Sequence, residues 1–452
     1  MSNHDKTRAR ERRRAISATT IGTAIEWYDF FLYAAVAGLV FRELMFGPIG
    51  PAAATIVSFL TVGLSFLFRP LGAFLAGHFA DKVGRRTVLM VTLLMMGAAT
   101  TLIGLLPTYA GAGVAAPIML VVLRIVQGIS AGGEWGSAVL LAVEHAPRNK
   151  RGLFGAGPQV GAPAGLLMSS AALALMNIIA PGDAFMEWGW RVPFIFSLVL
   201  MFIGWWIRVG VDESPVYEEM AADRAHDAKN PIGVLFARFS PLVLTGALIF
   251  AANGTVGYMT TGGFIQKYAT NELGMERGDV LWAVTASAAA WMVSTAFTGW
   301  VSDYIGRKRS LVIGFIVQAV GVALLFPMVN TAELPKLYAA LIFLAVGLGL
   351  TYGQIGSLFA EFFPASIRAS GASITYAIGA ILGGAFAPTI AASLREATGS
   401  TDAITVYLMA ATVIGLAVSL LIRERNGIPL GHEHEDMQAS GHFVWEPAPV
   451  KM

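Results

Sequence analysis

Gly77-His-Phe-Ala-Asp81-Lys-Val-Gly84-Arg85-Arg86 is answered 222 residues later by Gly299-Trp-Val-Ser-Asp303-Tyr-Ile-Gly306-Arg307-Lys308. A second pair keeps nearly the same register: Glu144-His-Ala-Pro147 leading to Arg151, and Glu361-Phe-Phe-Pro364 leading to Arg368, with the glutamates 217 residues apart. In a chain of 452 residues this is one unit used twice, head to tail. A repeat of that length on an apolar chain is the pattern of a membrane transporter.

Composition agrees. The chain is 56% hydrophobic and 13% charged, where soluble domains carry roughly 25% charge, and its mean hydropathy is +0.64. Apolar runs of about 20 residues, long enough to cross a bilayer, are read at Ile16–Val40, Ala53–His78, Val88–Leu106, Pro117–Val143, Leu153–Ile179, Val192–Val209, Pro241–Tyr268, Val280–Val301, Leu311–Val329, Leu337–Ala360, Ser370–Leu394 and Ile404–Ile422. The fold class expected is therefore an all-α membrane protein of twelve transmembrane helices in two six-helix bundles. The bundles occupy residues 16–210 and 241–422, after a basic N-terminus at 1–15, around a polar linker at 211–240, and before a disordered tail at 423–452.

Cations set the orientation. Arg8, Arg10, Arg12, Arg13 and Arg14 precede the first run, and Lys82, Arg85, Arg86, Arg148, Lys150, Arg151, Arg307, Lys308, Arg309, Arg368, Arg423 and Arg425 flank alternate loops. By the positive-inside rule that face is cytoplasmic, with both termini on it. The basic start is read as part of a retained first span, since no small-residue cleavage pattern follows it.

In the repeated loop, glycines permit a tight turn and arginines hold it at the anionic headgroups. Asp81 and Asp303 are placed to pair with neighbouring arginines and with the positive N-terminal end of a helix from the other half. That makes Gly77, Asp81, Gly84, Arg85, Arg86, Asp303, Gly306 and Arg307, with Glu144, Arg151, Glu361 and Arg368, a candidate latch that forms when the cytoplasmic side is closed. A plain topology anchor explains the arginines but not an aspartate and glycines at matched places.

Glu26 and Asp29 are i and i+3, with Tyr33 at i+7, so they share a helix face. At 1.5 Å per residue Glu26 lies about 18 Å and Asp29 about 22 Å beyond Arg14, near mid-membrane. An ionised carboxylate there costs on the order of 2.5–3.5 kcal/mol, so two of them call for a cation or a proton. Arg124, Gln127 and Glu134 form one stripe of the fourth run, and Arg69 lies about 18 Å in from Asp81. A carboxylate beside arginine stays ionised and one deprived of it takes a proton. Asp29, Glu26, Arg124 and Glu134 are thus the proton-coupling candidates, with Asp29 expected to pair with Arg124. Arg69, Arg124, Gln127 and Tyr33 are substrate-contact candidates. A static ion-pair network holding the first bundle together is the competing reading. The second half is almost free of charge at depth and offers Asn253, Tyr258, Trp291, Tyr352, Gln354 and Tyr376 to orient a polar solute, although ordinary helix packing accounts for each one singly.

The two loops resemble the signature of the major facilitator superfamily. More narrowly, Gly22-Thr-Ala-Ile-Glu26-Trp-Tyr-Asp29-Phe-Phe, Phe68-Arg69-Pro70-Leu-Gly72, Arg124-Ile-Val-Gln127-Gly128 with Gly132-Gly133-Glu134-Trp135, Trp188-Gly-Trp190-Arg191-Val-Pro193-Phe and Glu213-Ser-Pro215 together resemble the metabolite:proton symporter family. The resemblance covers nearly the whole chain. It implies proton-driven uptake of an organic acid, or of a zwitterion such as proline or betaine, by a carrier that alternates access to a central cavity. Gly157-Pro158-Gln159-Val-Gly161-Ala162 departs from this and resembles part of a drug:proton antiporter motif, with Ala162 in place of a second glycine. Gln159 is kept as a substrate-contact candidate, and close helix packing explains the small residues beside it.

The expected partners are a small-molecule substrate, protons and the lipid bilayer, with the chain acting as a monomer in the plasma membrane and no nucleic acid involved. No cofactor is expected and no metal, since His432, His434 and His442 in an acidic tail are weak evidence of one. An enzyme would need a nucleophile and base or a metal cluster at depth, and His78 and His145 are single and near the edge. A transporter-derived sensor would need an output domain, which the linker and tail do not offer.

Overall fold

With no water in a bilayer core to satisfy peptide groups, apolar segments of this length close their hydrogen bonds internally. The computed structural model describes the backbone of residues 3–83, 85–132, 134–144, 146–209, 231–261, 263–364 and 367–430. Side chains are described for the same residues except 3–16, 18, 74, 76–89, 134, 137, 208–209, 231–232 and 234. The described residues form helices joined by turns, with no strand among them.

Ten of these helical segments are long and apolar enough to cross a membrane and two more are shorter. In chain order they are α1 (Thr19–Leu44), α2 (Pro51–Ala73), α3 (Met90–Leu105), α4 (Ala115–Ala131), α5 (Arg151–Ile179), α6 (Phe185–Ile207), α7 (Ser240–Glu272), α8 (Arg277–Ile305), α9 (Arg307–Val329), α10 (Leu334–Phe362), α11 (Arg368–Thr398) and α12 (Asp402–Leu421). Four expected spans are interrupted, among them the eleventh at Phe386, between the segments Ala380–Ala385 and Ala387–Thr398. The fourth stops at Ala131 and resumes as the helix Glu134–Glu144. The tenth breaks between Tyr352 and Ile355. The seventh turns at Gly263, whose φ of +93° lies in the left-handed region that glycine alone enters cheaply.

Packing repeats along with the sequence. In the first half α2 lies on α4, α3 on α6 and α1 on α5; in the second α8 lies on α10, α9 on α12 and α7 on α11. The halves meet through α5 against α8 and α2 against α11, the second and fifth members of each unit. Burial runs opposite to a soluble core. Leu105, Ile178, Trp206, Val406 and Leu421 are more than half exposed on outward faces, while Asp29, Arg124, Gln159, Arg307 and Glu361 are buried. Apolar side chains on the outside are what a hydrocarbon solvent requires.

The tail expectation needs correction. Residues 423–430 are bonded to the body of the protein, as detailed below, because Glu424 and the carbonyls beyond it find donors there. Residues 210–230, which include most of the linker expected at 211–240, and the chain beyond 430 lie outside the described residues.

Candidate functional site

Asp29 is buried within the first half and, among the described residues, is not paired with an arginine. Thr100 Oγ1 donates to its Oδ2 at 2.9 Å and Ser197 Oγ to its Oδ1 at 2.7 Å. The expected Asp29–Arg124 pair is thus replaced by two hydroxyls, because Arg124 is committed elsewhere. Its Nε donates to the Thr61 carbonyl at 3.1 Å, one terminal nitrogen to the Val62 carbonyl and to Ser65 Oγ, both at 2.9 Å, and the other to Gln127 Oε1 at 2.8 Å. The Tyr33 ring lies under the guanidinium at 3.8 Å, and the Tyr33 hydroxyl is 2.6 Å from Thr61 Oγ1. Gln127 closes a chain by donating Nε2 to Thr100 Oγ1 at 2.7 Å. Arg124 and Asp29 therefore communicate through two neutral side chains. Tyr33 and Gln127, expected against substrate, sit inside this network.

The second half has its own polar knot. Asn253 Nδ2 donates to Thr351 Oγ1 at 2.7 Å and to the Leu348 carbonyl at 3.1 Å, Thr351 Oγ1 lies 3.2 Å from Gln318 Oε1, and Gln318 Nε2 donates to Thr412 Oγ1 at 3.0 Å. These bonds hold α7, α9, α10 and α12 together. They draw the Asn253 amide into its own bundle.

Between the halves lies an aromatic-walled centre. Arg69 faces Glu26 at 3.5 Å, with Phe66 at 4.5 Å and Trp27 at 5.6 Å from its guanidinium carbon. Trp27 stacks on Tyr258 across the interface at 5.8 Å, and Phe66 approaches the same ring at 5.3 Å. Trp135 stacks on Tyr376 at 3.8 Å, and Trp291 lies 5.7 Å from Tyr352. Gln159 ties this region together: its Oε1 accepts from Trp135 Nε1 at 2.8 Å, and its Nε2 donates to the Tyr352 carbonyl at 3.3 Å in the other half. Arg69 Nε and Trp291 Nε1 are buried with no hydrogen-bond partner among the described residues. A void of about 10 Å³ touches Glu26 and Asp29, between α1, α3, α4 and α6, room for about one water.

At the motif end the described members of the candidate latch meet across the halves. The Asp303 carboxylate accepts from the backbone N–H of Gly152 at 2.7 Å and of Leu153 at 3.0 Å, at the N-terminus of α5. It also pairs with Arg307 at 3.0 Å. Arg307 in turn holds Glu361 at 3.2 Å with both side chains fully buried, and Arg368 reaches Glu144 of the first half at 3.2 Å. Only one of the two loop glycines here serves a turn: Gly306 has φ +92°. Gly299 serves a helix crossing, since a Cβ on it would lie 2.3 Å from Ala156 Cβ. Toward the opposite end Thr285 Oγ1 donates to Ser170 Oγ at 3.0 Å across the interface.

Gly84 and the side-chain surroundings of Gly77, Asp81, Arg85, Arg86 and Glu134 lie outside the described residues. Sequence reasoning missed Thr100, Ser197 and Ser65, which carry no pattern that sets them apart from other small polar residues in apolar helices. It also passed over Trp27, Phe30 and Phe31, whose i, i+3, i+4 spacing beside Glu26 and Asp29 was a legible aromatic stripe.

The chain matches the Major Facilitator Superfamily over residues 19–388 and again over 246–445. It is 40% identical over 420 residues to the inner membrane metabolite transport protein YhjE of Escherichia coli strain K12, covering 91% of this chain and 94% of that protein. It is 35% identical to the shikimate transporter of the same organism, covering 91% and 94%. With a proline/betaine transporter of Salmonella typhimurium the identity is 30%, covering 92% and 85%. Among solved structures, the proton:xylose symporter XylE bound to 6-bromo-6-deoxy-D-glucose superposes with a TM-score of 0.75 at 16% identity, over 95% of this chain and 99% of that one.

Proposed function

The chain belongs to the major facilitator superfamily, whose members are multi-pass membrane transporters and not enzymes, and from that premise we propose that it is a proton-coupled symporter importing a small organic acid by alternating access. The observation that carries the reading is the setting of Asp29. A carboxyl buried against two hydroxyls and no ion-pair partner among the described residues is served in either charge state, because a hydroxyl donates to the anion and accepts from the acid. A static ion-pair network needs a cation, and none pairs with Asp29 among the described residues. The void shared with Glu26 has room for about one water beside both carboxyl groups.

Substrate recognition falls to Arg69, at the interface and held by Glu26 at 3.5 Å, longer than a good charge-assisted bond. A substrate carboxylate competing for the guanidinium fork releases Glu26, and a proton on Asp29 or Glu26 keeps the centre's charge balanced. Glu134 stays a coupling candidate by position in the sequence. Arg124 acts through the first bundle. Tyr258, Tyr352, Tyr376 and Gln159 line the centre. A second reading has its own support: aromatic faces beside a carboxylate suit an ammonium group, so a zwitterion such as proline or betaine would set its cation on Glu26 and Trp27 and its carboxylate on Arg69.

We take the motif end as cytoplasmic, the Asp303 contact with α5 as the latch of a closed inner gate, the plasma membrane as the location, and one chain as the working unit. The test is uptake into proteoliposomes under an imposed proton gradient, with shikimate, 2-oxoglutarate, proline and betaine as candidates. The expected result is concentration of an organic acid that Asp29→Asn abolishes while some exchange across the membrane survives. Undiminished accumulation by Asp29→Asn removes Asp29 from the mechanism, and accumulation of betaine alone selects the second reading.

A further inference from the structure

We propose that Thr100 is a positioning residue that passes the protonation state of Asp29, through Gln127 and Arg124, to the backbone of α2. This rests on the reading of Asp29 as the proton site. Thr100 is fully buried and has two acceptors in reach, Asp29 Oδ2 at 2.9 Å and the Met96 carbonyl at 3.0 Å. With Asp29 ionised, the Thr100 hydrogen points to the carboxylate and its oxygen accepts from Gln127 Nε2. With Asp29 protonated, the carboxyl donates to Thr100, whose hydrogen turns to Met96, and Gln127 then shares the oxygen with a second donor. Gln127 Oε1 holds Arg124, and Arg124 grips the Thr61 and Val62 carbonyls and the Ser65 hydroxyl. That stretch of α2 packs on α11 of the other half, where a Cβ on Gly63 would lie 2.2 Å from the Ala385 carbonyl oxygen, so the relay ends on a helix of the interface.

The charged groups around Asp29 are few. Glu26, Tyr28, Tyr33, Arg42 and Glu43 share its helix, with the Tyr28 hydroxyl bonded to the Pro193 carbonyl; α4 contributes Arg124; α5 has Arg151 at its first position; α3 has none within Met90–Leu105; α6 has Glu187 and Arg191, the latter bonded to the Gly104 and Leu106 carbonyls. Glu26 and Tyr28 interact with Asp29 through their charge, while its carboxylate hydrogen bonds are those from Thr100 and Ser197.

Infrared titration of the purified protein, with protons as the only ligand, reads this directly. The carboxyl band lost in Asp29→Asn identifies the group. Thr100→Val, which keeps the shape and removes the hydroxyl, should move the midpoint of that band by about one pH unit, the worth of one hydrogen bond to a charged group. Thr100→Ser should restore it. The chain has no cysteine, so a bimane on Leu67→Cys reports from α2; its signal should follow the same titration, with at least fivefold less amplitude in Gln127→Met. An unmoved midpoint in Thr100→Val, or full amplitude in Gln127→Met, overturns the relay. A titrating band that survives Asp29→Asn sinks the reading of Asp29 itself.

A separate set of contacts carries a second proposal. We infer that residues 424–430 are a strap that holds the gate at the motif end shut. The Glu424 carboxylate caps α9, accepting from the N–H of Arg307 at 3.0 Å and of Lys308 at 3.1 Å, and Asn426 Nδ2 donates to the Asp303 carbonyl at 3.0 Å. Beyond them the strap crosses to the first half, where Arg148 bonds the Gly427 carbonyl and Arg151 that of Ile428. It returns to Arg368, which bonds the Leu430 carbonyl at 2.7 Å while holding Glu144. Arg425 is buried, and desolvation draws its guanidinium down to about 10 against the opposing pull of Glu361. Separation of the halves at this end has to break the Arg148 and Arg151 bonds or peel the strap from α9.

The probe is Ser357→Cys, fully buried beside Gly155 of the other half, labelled by a maleimide reagent. Glu424→Ala should raise the labelling rate about fivefold, the effect of losing a charge at a helix N-terminus, and Asp303→Asn should raise it too. Labelling unchanged by both Glu424→Ala and Asn426→Ala, with Asp303→Asn still accelerating it, overturns the strap and leaves the latch standing.

Discussion

Each half of the molecule is centred on a hydrogen-bonded knot tied from the same four places in the repeat, its first, third, fourth and sixth apolar helices. In the first half the members are Asp29, Thr100, Gln127 and Ser197; in the second they are Asn253, Gln318, Thr351 and Thr412. One knot is built on a carboxylate and the other on an amide, which stays neutral at every pH. The interface shows the same asymmetry, since the place of Arg69 is taken 222 residues later by Trp291. Duplication supplied two equal scaffolds, and a few side-chain differences gave one of them the ionic chemistry.

The comparison is broken most severely at Arg124. Arg124→Lys keeps the charge but loses the planar fork, leaving carbonyls of α2 without donors. We expect a loss of about 3 kcal/mol, from two or more buried bonds at 1–2 kcal/mol each, seen as a lower melting temperature together with lost transport. Normal stability with weakened substrate binding would instead place Arg124 against the substrate.

In the second knot the effect should be smaller and of another kind. Asn253→Ala removes donors to Thr351 and Leu348 and should cost about 1–2 kcal/mol of stability, with the proton:substrate ratio unchanged in vesicles. A changed ratio would mean that both knots take part in coupling.

The smallest effect is at the gate. Asp303→Asn weakens a charge at the N-terminus of α5 and should shift the balance between conformations by about 1 kcal/mol, roughly fivefold. Turnover should change more than substrate affinity. A variant with wild-type turnover and altered affinity would contradict a latch.

How much of this was legible follows from which residues carry pattern. Apolar runs, the duplicated loop and the arginine bias are redundant signals spread over many residues, so the helical architecture and the Asp303 contact with a helix of the other half were both readable. The partner of Asp29 was not. Charge complementarity at similar depth pointed to Arg124, but backbone carbonyls of α2 satisfy that guanidinium, and carbonyls exposed by helix packing leave no mark in a sequence. Residues 424–430 were hidden for a related reason: Glu424-Arg-Asn-Gly427 reads as a solvated tail, and what orders it is a set of donors contributed by residues far away in the chain.

The central claim is that protons cross with substrate by way of the first knot alone. A pH-sensitive dye sealed inside proteoliposomes reads proton influx when the transported acid is added outside, and the informative pair is Asp29→Asn beside Asn253→Ala. The account predicts no substrate-driven acidification with Asp29→Asn and a wild-type proton:substrate ratio with Asn253→Ala. Substrate-driven acidification that persists in Asp29→Asn, or that disappears in a correctly folded Asn253→Ala, would contradict it.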